Sequence, residues 1–466
     1  MYQVPQHIDD NRIFIVQRSE IEGRLDAQYY KMSIHIPNSV KLSSFASVKG
    51  GKRIPKGYSY SEEQTPYYYL RVADMDNDNE LSFESLKFID EEVFNKLKRY
   101  EIKKNELAIS IAGTIGKICY LSDIPEGCRI ILTENCAKVV ILDENVLTVR
   151  YLEVLFKMPF IQKQLKRNYI QTTIPKLGLD KIASLNFPQI PTLEFQKQVV
   201  DYYTLAYKQK IQKESEAQKL LDSIDAYILN ELGITLPEIK TDLKSRMFLV
   251  NRSELEERLD PTVYKDGTKL ISSLFENVKL SNVAFVNPGG AYKGKPIGTS
   301  ISFIPMEVID EVYSEISSQG ETTIADSSGF TKFKEGDLLW AKITPCMQNG
   351  KSAIARDLTN GLGCGSTEFF VLRPKDERLS VEYLHVILHL KCVRETAMLY
   401  FGGSAGQQRV SASFLEKFNL PLPSLTKQQE IANHIYAIRQ QAKQLQEEGK
   451  TILENAKKEV EQMIIG

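Results

Sequence analysis

Apolar and small residues near the end of the chain recur at alternating steps of four and three, which is the spacing of a coiled-coil seam. This seam consists of Ile431, Ile435, Ile438, Ala442, Leu445, Gly449, Ile452 and Ala456. A similar seam lies half a chain earlier and consists of Val199, Tyr203, Ala206, Ala217, Leu220, Ile224 and Tyr227, with Lys210 and Lys213 interrupting its middle. Each seam predicts a helix of about 39 residues, about 58 Å long. A helix with a single apolar stripe is not stable alone, so we predict that the two helices pair; the alternative is that each helix only caps its own domain.

Polar turns that lead into apolar runs predict strands in the rest of the chain. KNELAISIAG (104–113) and EGDLLWAKI (335–343) are two such segments. The spacing of apolar residues predicts helices over 151–165 and 381–397. Each half of the chain therefore reads as a strand-rich domain with short helices, followed by one long helix.

The same phrases occur twice, about 233 residues apart. RIFIVQRSEIEGRLDAQYYK (12–31) and RMFLVNRSELEERLDPTVYK (246–265) are identical at 12 of 20 positions. Shorter matches follow in the same order, among them VKLSS (40–44) with VKLSN (278–282) and the Thr-Glu pairs at 133–134 and 367–368. Repetition at a fixed offset indicates tandem duplication. We predict an α+β fold in which two similar mixed α/β domains are joined by two long helices forming an antiparallel coiled coil, with an internal pseudo-twofold repeat.

The repeat also predicts domain limits. These are 12–193 for the first domain, 194–232 for the first long helix, 233–245 for a linker, 246–425 for the second domain and 426–466 for the second long helix. Pro191 and Pro423 stand just before the two long helices, where proline is tolerated.

Composition and charge exclude several classes of protein. The 466 residues suffice for two to four domains, and their net charge of -1 excludes a general basic coat for nucleic acid, although not local basic patches. No run approaches the roughly 18 apolar residues of a membrane helix, and the start MYQVPQHIDD lacks a signal-peptide pattern. Six cysteines without a CxxC pair indicate reduced thiols rather than disulfides or a zinc site. We therefore expect a cytoplasmic protein without membrane contact.

Motifs for catalysis are missing from the sequence. A self-sufficient adenine methyltransferase needs an Asn-Pro-Pro-Tyr-like motif, and the nearest match, NPGGAY (287–292), lacks the second proline. No GxxxxGK[ST] phosphate loop occurs. His385 and His389 have the spacing of a helical ligand pair, but no HExxH motif surrounds them, so packing or surface roles are favoured. We predict no catalytic residues, no metal site and no cofactor.

Two similar domains on a rigid spacer suit a target that also has two parts. Double-stranded DNA with two half-sites is such a target, because each domain reads its own sequence while the protein fixes the spacing. A pseudo-twofold scaffold can also bind two copies of one partner. A second interpretation stays open, namely a duplicated adaptor that assembles a protein complex without reading DNA.

Two repeated motifs resemble those of a known family, the specificity subunits of type I restriction-modification systems. One motif runs from Gly336-Asp337-Leu338-Leu339 to Gly350-Lys351 and is similar to a part of the family's target recognition domain. The first copy departs from it, with Asn105-Glu106 in place of Gly-Asp. The other motif, Pro-x-x-x-x-Gln at the start of each long helix (191–196 and 423–428), resembles the family's repeated helical regions. The order and duplication of the motifs cover essentially the whole chain.

The resemblance implies a non-catalytic subunit whose two domains recognise DNA. Methyl transfer to adenine would come from modification subunits that use S-adenosylmethionine, two of which the helix pair would hold. Cleavage would come from restriction subunits that use ATP and magnesium. A related possibility is the DNA-binding chain of a system in which one partner carries out both methylation and cleavage.

Three pairs of loops at equivalent repeat positions are the candidate DNA-contact segments, because basic and amide side chains on loops bind phosphates and base edges. The first pair offers Lys52, Arg53, Lys56 and Tyr58 in one copy and Tyr292, Lys293 and Lys295 in the other. The second pair offers Thr114 and Lys117 in one copy and Gln348, Asn349 and Lys351 in the other. The third pair offers Thr172, Thr173 and Lys176 in one copy and Ser404, Gln407, Gln408 and Arg409 in the other. Arg71 is either a DNA contact or a salt-bridged structural residue, and all of these segments have the alternative of being ordinary solvated loops.

The repeated RSE-x-E-x-RLD phrase is a different case, because a segment that reads sequence would be free to differ between the copies. We predict a structural role for it. Arg24 and Arg258 are expected to pair with nearby acids, and Tyr30 and Tyr264 to pack where each domain meets the helix pair.

Overall fold

The computed structural model divides the chain into two compact units, one within 1–211 together with 449–466, the other within 212–448. The structure describes residues 14–16, 18, 21, 27, 30, 36–75, 81, 83–121, 124–169, 176–237, 248–250, 252, 261–266, 269–403 and 407–466. Arg24 and Arg258 of the repeated phrase lie outside these residues. Tyr30 and Tyr264 are half-buried, and their packing against the helix pair stays a prediction, as do the domain limits.

The described residues of the first unit form two four-stranded sheets and a two-stranded ribbon. Its strands are β1 (Val40–Lys41), β2 (Ala46–Gly50), β3 (Tyr67–Leu70), β4 (Lys87–Phe88), β5 (Glu101–Ile102), β6 (Leu107–Ser110), β7 (Ile118–Tyr120), β8 (Arg129–Leu132), β9 (Cys136–Ile141) and β10 (Asn186–Phe187). One sheet has the order β2-β9-β6-β7 and is antiparallel throughout. The other has the order β4-β3-β8-β5, with β3 and β8 parallel, and β1 pairs with β10.

In the described part of the first unit, four short helices accompany these sheets and a long helix follows them. They are α1 (Glu91–Leu97), α2 (Val149–Lys157), α3 (Pro159–Tyr169), α4 (Leu179–Ala183) and the long helix α5 (Leu193–Glu231). The sequence predicted one helix over 151–165, whereas the structure has a break at Met158, which has extended backbone angles. The residue before a proline is driven away from helical geometry, and Pro159 supplies that constraint.

The second unit repeats this design. Its strands are β11 (Glu276–Lys279), β12 (Ala284–Val286), β13 (Ser300–Ile304), β14 (Gly320–Thr323), β15 (Thr331–Lys334), β16 (Leu338–Ala341), β17 (Ser352–Ile354), β18 (Leu362–Gly365), β19 (Phe369–Pro374), β20 (Phe401–Gly402), β21 (Arg409–Val410) and β22 (Asn419–Leu422). Its helices are α6 (Pro261–Asp266), α7 (Leu280–Val283), α8 (Val381–His389), α9 (Lys391–Met398), α10 (Ala412–Lys417) and the long helix α11 (Leu425–Ile465). The helix predicted over 381–397 is likewise two helices, because Leu390 between them leaves the helical conformation.

Strand order confirms the duplication. The sheets β12-β19-β16-β17 and β14-β13-β18-β15 and the ribbon β11-β22 correspond one for one to those of the first unit, including the parallel pair β13 and β18. The ribbon of β20 and β21 has no counterpart among the described residues of the first unit. The predicted α+β fold with an internal repeat is therefore confirmed.

The long helices pack against each other in opposite directions within each unit. In the first unit, Val199 and Tyr203 near the start of α5 share a core with Leu453 and Val460 near the end of α11. In the second unit the relation is reversed, because the second half of α5 shares a core with the beginning of α11. This confirms the predicted antiparallel pair over the alternative of two separate caps.

Two details of the predicted seam are wrong. Leu453 is buried at 7% exposure where the seam predicted Ile452, which is half-buried. Lys213 does not break the pair, because its ammonium lies 2.7 Å from the Glu448 carboxylate on the other helix. Lys210 is itself buried. The ion pair lets a lysine stand in the seam without leaving its charge unpaired.

A buried glutamine attaches the first domain to its long helix. Gln196, in the first turn of α5, has no exposed surface. Its side-chain amide donates to the carbonyl oxygens of Val146 at 2.8 Å and Pro191 at 2.9 Å. Its side-chain oxygen accepts a 2.9 Å hydrogen bond from the backbone N–H of Thr148, the residue that caps α2.

Gln428 does the same in the second unit. It is also fully buried, and it donates to the carbonyl oxygens of Arg378 at 2.7 Å and Pro423 at 2.9 Å. Its oxygen accepts a 2.8 Å hydrogen bond from the backbone N–H of Ser380, which caps α8. The repeated Pro-x-x-x-x-Gln motif is therefore a joint that fixes the start of one domain helix to the start of the long helix.

Candidate functional site

The first candidate loop of the first unit begins where β2 ends. Gly51 opens it, and a side chain there would place its Cβ 2.1 Å from the Thr133 carbonyl oxygen, so only glycine fits. The next residues are exposed, with Lys52 and Lys56 reaching solvent and the Arg53 side chain 80% exposed. The loop is thus anchored at its start and presents three cations beyond it.

Glu134 holds Arg53 in place. The Arg53 Nε donates to the Glu134 carboxylate at 2.5 Å. Partial burial acts against the charge on Glu134, but hydrogen bonds from Arg53 and Thr133 leave the pKa of its carboxyl below the usual value. Arg53, Glu134 and Arg71 line one cleft of about 480 Å³.

Tyr58 and Arg71 both have partners inside the first unit. The Tyr58 hydroxyl donates to Glu92 of α1 at 2.5 Å. Arg71 donates to both oxygens of the buried Asp74, at 2.6 and 3.1 Å, and to the Ser85 carbonyl oxygen at 3.1 Å. The structure thus shows the salt-bridged arrangement of Arg71, and its contact with DNA stays a prediction.

The two lysines of the Gly-Lys motifs point into their domains. The Lys117 ammonium donates to the Met75 carbonyl oxygen at 2.5 Å, and that of Lys351 to the Met306 carbonyl oxygen at 3.3 Å. Met75 directly follows the short 3-10 turn after a central strand of the mixed sheet, and Met306 opens the equivalent turn of the second unit. This geometry favours a structural role for both lysines, although their DNA contact is not tested.

The second and third candidate loops meet in both units. Lys176 forms an isolated β-bridge with Ala112, and Arg409 forms one with Ile343 at the equivalent place. Thr114 and Lys176 are exposed. Thr172, Thr173 and Ser404 lie outside the described residues, so their placement is untested.

The candidate residues of the second unit divide into exposed and anchored groups. The exposed ones are Lys293, Lys295, Asn349 and Gln407. Tyr292 is anchored, because its hydroxyl donates to the Gly363 carbonyl oxygen at 2.7 Å and burial raises its pKa.

Gln348 and Gln408 also make contacts within the second unit. The Gln348 side-chain oxygen accepts a 2.9 Å hydrogen bond from the Thr344 hydroxyl, and the Gln408 carbonyl oxygen accepts one from the Thr344 backbone N–H at 3.0 Å. The exposed Asn349 amide donates to Glu311 at 3.1 Å.

Arg409 has the most defined geometry of the candidates. Its guanidinium binds both carboxylate oxygens of Glu368, with distances of 2.8 to 3.1 Å. Hydrogen bonding to Arg409 lowers the pKa of Glu368 despite its partial burial, and Lys342 adds to this effect. A bidentate pair of this kind fixes the plane of the arginine side chain.

Glu134 and Glu368 are functional candidates that sequence reasoning missed. They occupy the same repeat position, directly after a threonine, and each holds an arginine from a candidate loop. The arginines come from different loops, the first loop in one unit and the third in the other. The repeated Thr-Glu pair was the available signal, but its partners are distant in sequence and only the fold brings them together.

Groups for catalysis or metal binding do not converge in the described parts of the chain. No cluster of three or more histidine, cysteine or acidic side chains with a metal-binding arrangement is found there. His385 is buried and its Nε2 lies 3.0 Å from the Ser352 hydroxyl, whereas His389 is half-buried. Burial, aided by the nearby Arg439, lowers the pKa of His385 to about 3 and that of His389 well below its usual value. Both are packed neutral side chains, as the packing alternative stated. No described helix combines the length and apolarity needed to cross a membrane.

Comparison with known proteins agrees with the duplicated fold. The family model of the type I restriction modification DNA specificity domain matches residues 38–213 and again 273–454. Among curated relatives, the specificity subunit of the type I restriction enzyme EcoEI from Escherichia coli is 33% identical over 197 residues, 41% of this chain and 32% of the relative. The specificity subunit of EcoAI, also from Escherichia coli, is 31% identical over 216 residues, 45% of this chain and 34% of the relative. The alignments thus span about a third of the length of these relatives.

A similar solved structure supports the fold. One from a study of complex assembly and conformational transition of the type I R-M system matches with a TM-score of 0.50 at 16% identity, covering 93% of this chain and 98% of the other. The S subunit of a type I restriction-modification system from M. genitalium matches with a TM-score of 0.41 at 11% identity, covering 95% and 98% of the two chains. At these identities the first match shows the fold alone. Because the family model matches both halves and most of the chain, this protein belongs to the family of type I restriction modification DNA specificity domains.

Proposed function

We propose that this chain is the DNA sequence-recognition subunit of a type I restriction-modification complex. Each of its two domains reads one half of a bipartite, asymmetric DNA target. The paired helices dock modification subunits, two of them on a pseudo-twofold scaffold, and restriction subunits complete the complex. The chain itself carries no catalytic site and acts in the cytoplasm, where its DNA target is.

The observation that carries this proposal is one fold built twice with different loops. The two units have the same strand order, yet their exposed loop residues differ, with Lys52, Arg53 and Lys56 at one position and Lys293 and Lys295 at the equivalent one. An adaptor with two equal binding sites would have no need for different exposed loop residues in its two units. Two readers of different half-sites require them.

The cations on these loops are suited to DNA. Exposed lysines neutralise phosphates and position the protein, whereas a planar arginine held by a carboxylate can present its remaining donors to a guanine edge. Glu368 holds Arg409 in a bidentate pair, and Glu134 accepts one hydrogen bond from the Arg53 Nε. We propose that these two arginines read bases, one in each half-site.

Methylation mapping tests the proposal. The chain is co-expressed with the modification subunit encoded beside it, and methylated adenines are mapped across the host genome. We expect one asymmetric motif of two short half-sites separated by an unspecified gap. Exchanging residues 32–150 for those of a relative with another target should change one half of the motif only.

Loop variants sharpen this test. Alanine at Lys52, Arg53 and Lys56 should relax or abolish recognition of one half-site, and alanine at Lys293 and Lys295 should affect the other. Alanine at the exposed Lys98, on the short 3-10 turn that follows α1, is a matched control and should leave the motif unchanged. A stable complex that methylates no DNA would contradict the proposal and favour the adaptor interpretation.

A further inference from the structure

A polar cavity of about 740 Å³ lies inside the second unit, away from the candidate DNA loops. On one side α11 contributes Ile435, Tyr436 and Arg439. On the other side the segment 313–316 lines it, and α8 contributes His385. The cavity thus lies where the second domain packs against the long helix.

Three residues that line this cavity each hold a buried hydrogen-bond donor without a partner. Among the described residues, no hydrogen-bond partner exists for Arg439 Nε, the Tyr313 hydroxyl or the Ser314 hydroxyl, and all three residues line the space. Buried donors without partners are uncommon and costly in native proteins. Ser314 also has a φ of 60°, in the left-handed region that a serine rarely adopts, and such strain is concentrated at functional sites.

Arg439 is a nearly uncompensated buried cation. It is 7% exposed, and burial lowers its pKa to about 10, so it stays charged at neutral pH. No ion pair to it is found within the described part of the chain. Acids surround it, but Glu315 is bound by Lys443 and Gln440, and Glu382 by Arg356 and Ser380.

The remaining acids near the cavity do not form an ion pair with Arg439 either. Asp225 accepts a hydrogen bond from the Lys391 backbone N–H, and Asp310 accepts two from the loop that it begins. Asp357 stands exposed at the rim of the cavity. The interior of the cavity therefore carries one positive charge without a bound carboxylate.

The buried arginine and the two histidines of the second unit are not repeated in the first unit. The positions equivalent to His385, His389 and Arg439 are Glu153, Lys157 and Tyr207 in the first unit. There Glu153 and Lys157 form a buried ion pair of 2.9 Å, and Tyr207 lies against the lysine. Joining a domain to the long helix thus does not require a buried arginine.

We propose that this cavity binds a small organic monocarboxylate. A carboxylate pairs with the Arg439 guanidinium through charge-assisted hydrogen bonds, and its single charge matches the one uncompensated cation. The neighbouring Glu315 and Glu382 disfavour a dianion such as a phosphate monoester. Ile316, Ile354 and Ile435 also line the cavity and receive the apolar body of the ligand.

The test compares acids with their neutral amides on the full chain. Benzoate, hexanoate, benzamide, hexanamide and inorganic phosphate are titrated, and binding is followed by ligand-observed NMR and by thermal unfolding. We expect the carboxylates to bind with millimolar or better affinity, at least about tenfold more tightly than the amides or phosphate. Arg439→Gln should abolish this preference.

Two further variants keep the result interpretable if Arg439→Gln fails to fold. Arg439→Lys keeps the positive charge but loses the planar fork of donors, and it should weaken carboxylate binding by a few-fold to about tenfold. Arg378→Gln, which alters an exposed ion pair with Asp376 outside the cavity, should leave binding unchanged. The proposal is overturned if no carboxylate binds, if amides or phosphate bind equally well, or if Arg439→Lys and Arg378→Gln have the same effect.

Discussion

Replacing Gln428 with leucine should destabilise the second unit by about 3–5 kcal/mol. The side chain makes three buried hydrogen bonds of 2.7, 2.9 and 2.8 Å to backbone groups. Leucine has a similar volume but leaves the Ser380 N–H and two carbonyl oxygens without this partner. An unsatisfied buried polar group costs about 1–3 kcal/mol, and the added apolar surface offsets a part of the sum.

The chain contains its own probe for this experiment. Trp340 is the single tryptophan of the sequence and is buried in the second unit, stacked near Phe370 and Phe414. Its fluorescence therefore follows unfolding of that unit in urea. With a urea dependence near 2–3 kcal/mol per M, the transition midpoint should fall by more than about 1 M.

Two matched variants test whether the lost hydrogen bonds of Gln428 cause the lower stability. Gln429→Leu changes the exposed neighbour on the same helix and should shift the midpoint by less than about 0.2 M, the usual range for surface substitutions. Gln196→Leu should destabilise the first unit instead, seen as faster hydrogen exchange around Thr148. Equal midpoints for Gln428→Leu and Gln429→Leu would refute the reasoning.

Three further expectations follow from the charges. Glu368→Gln removes the carboxylate that orients Arg409, so methylation should lose specificity in one half-site while the other half is retained; motif mapping checks this, and loss in both halves would contradict it. The folded pKa of His385 is about 3, below its unfolded value of about 6.5. The unfolded state therefore binds more protons between these values, and the stability of the second unit should be full above pH 6.5 and fall as the pH drops toward 3. Urea midpoints from Trp340 measure this, and His385→Gln should reduce the slope, whose remainder comes from His389. The exposed pair of Lys213 and Glu448 should contribute only about 0.2–1 kcal/mol in a double-mutant cycle, weakening with salt, and a value above 2 kcal/mol would show that the pair is far better shielded than its 34% and 40% exposure indicates.

Features with a fixed period were predictable from the sequence, and features that depend on distant partners were not. The alternation of four and three along 431–456 predicts α11, and the repeat predicts two domains of one fold. The helix break at Met158 could also be predicted from the sequence, because Pro159 disfavours helical backbone angles at the residue before it. The spacing of apolar residues alone suggests a continuous helix. Lys117 and Lys351 looked like exposed loop cations because nothing near them in sequence indicates that their ammonium groups turn toward the Met75 and Met306 carbonyls. The partners of Glu134 and Glu368 were hidden for the same reason.

The position of the last helical turns has a consequence for synthesis of the chain. Leu453 and Val460 belong to the core of the first unit, although they are translated after the whole of the second. During translation the first unit therefore cannot complete its hydrophobic core until residues 449–466 are synthesised, whereas the second unit can complete its core earlier. A truncation after Glu448 would leave the second unit with all its parts and the first unit open, so a lesion late in this sequence would damage a domain that is encoded earlier in it.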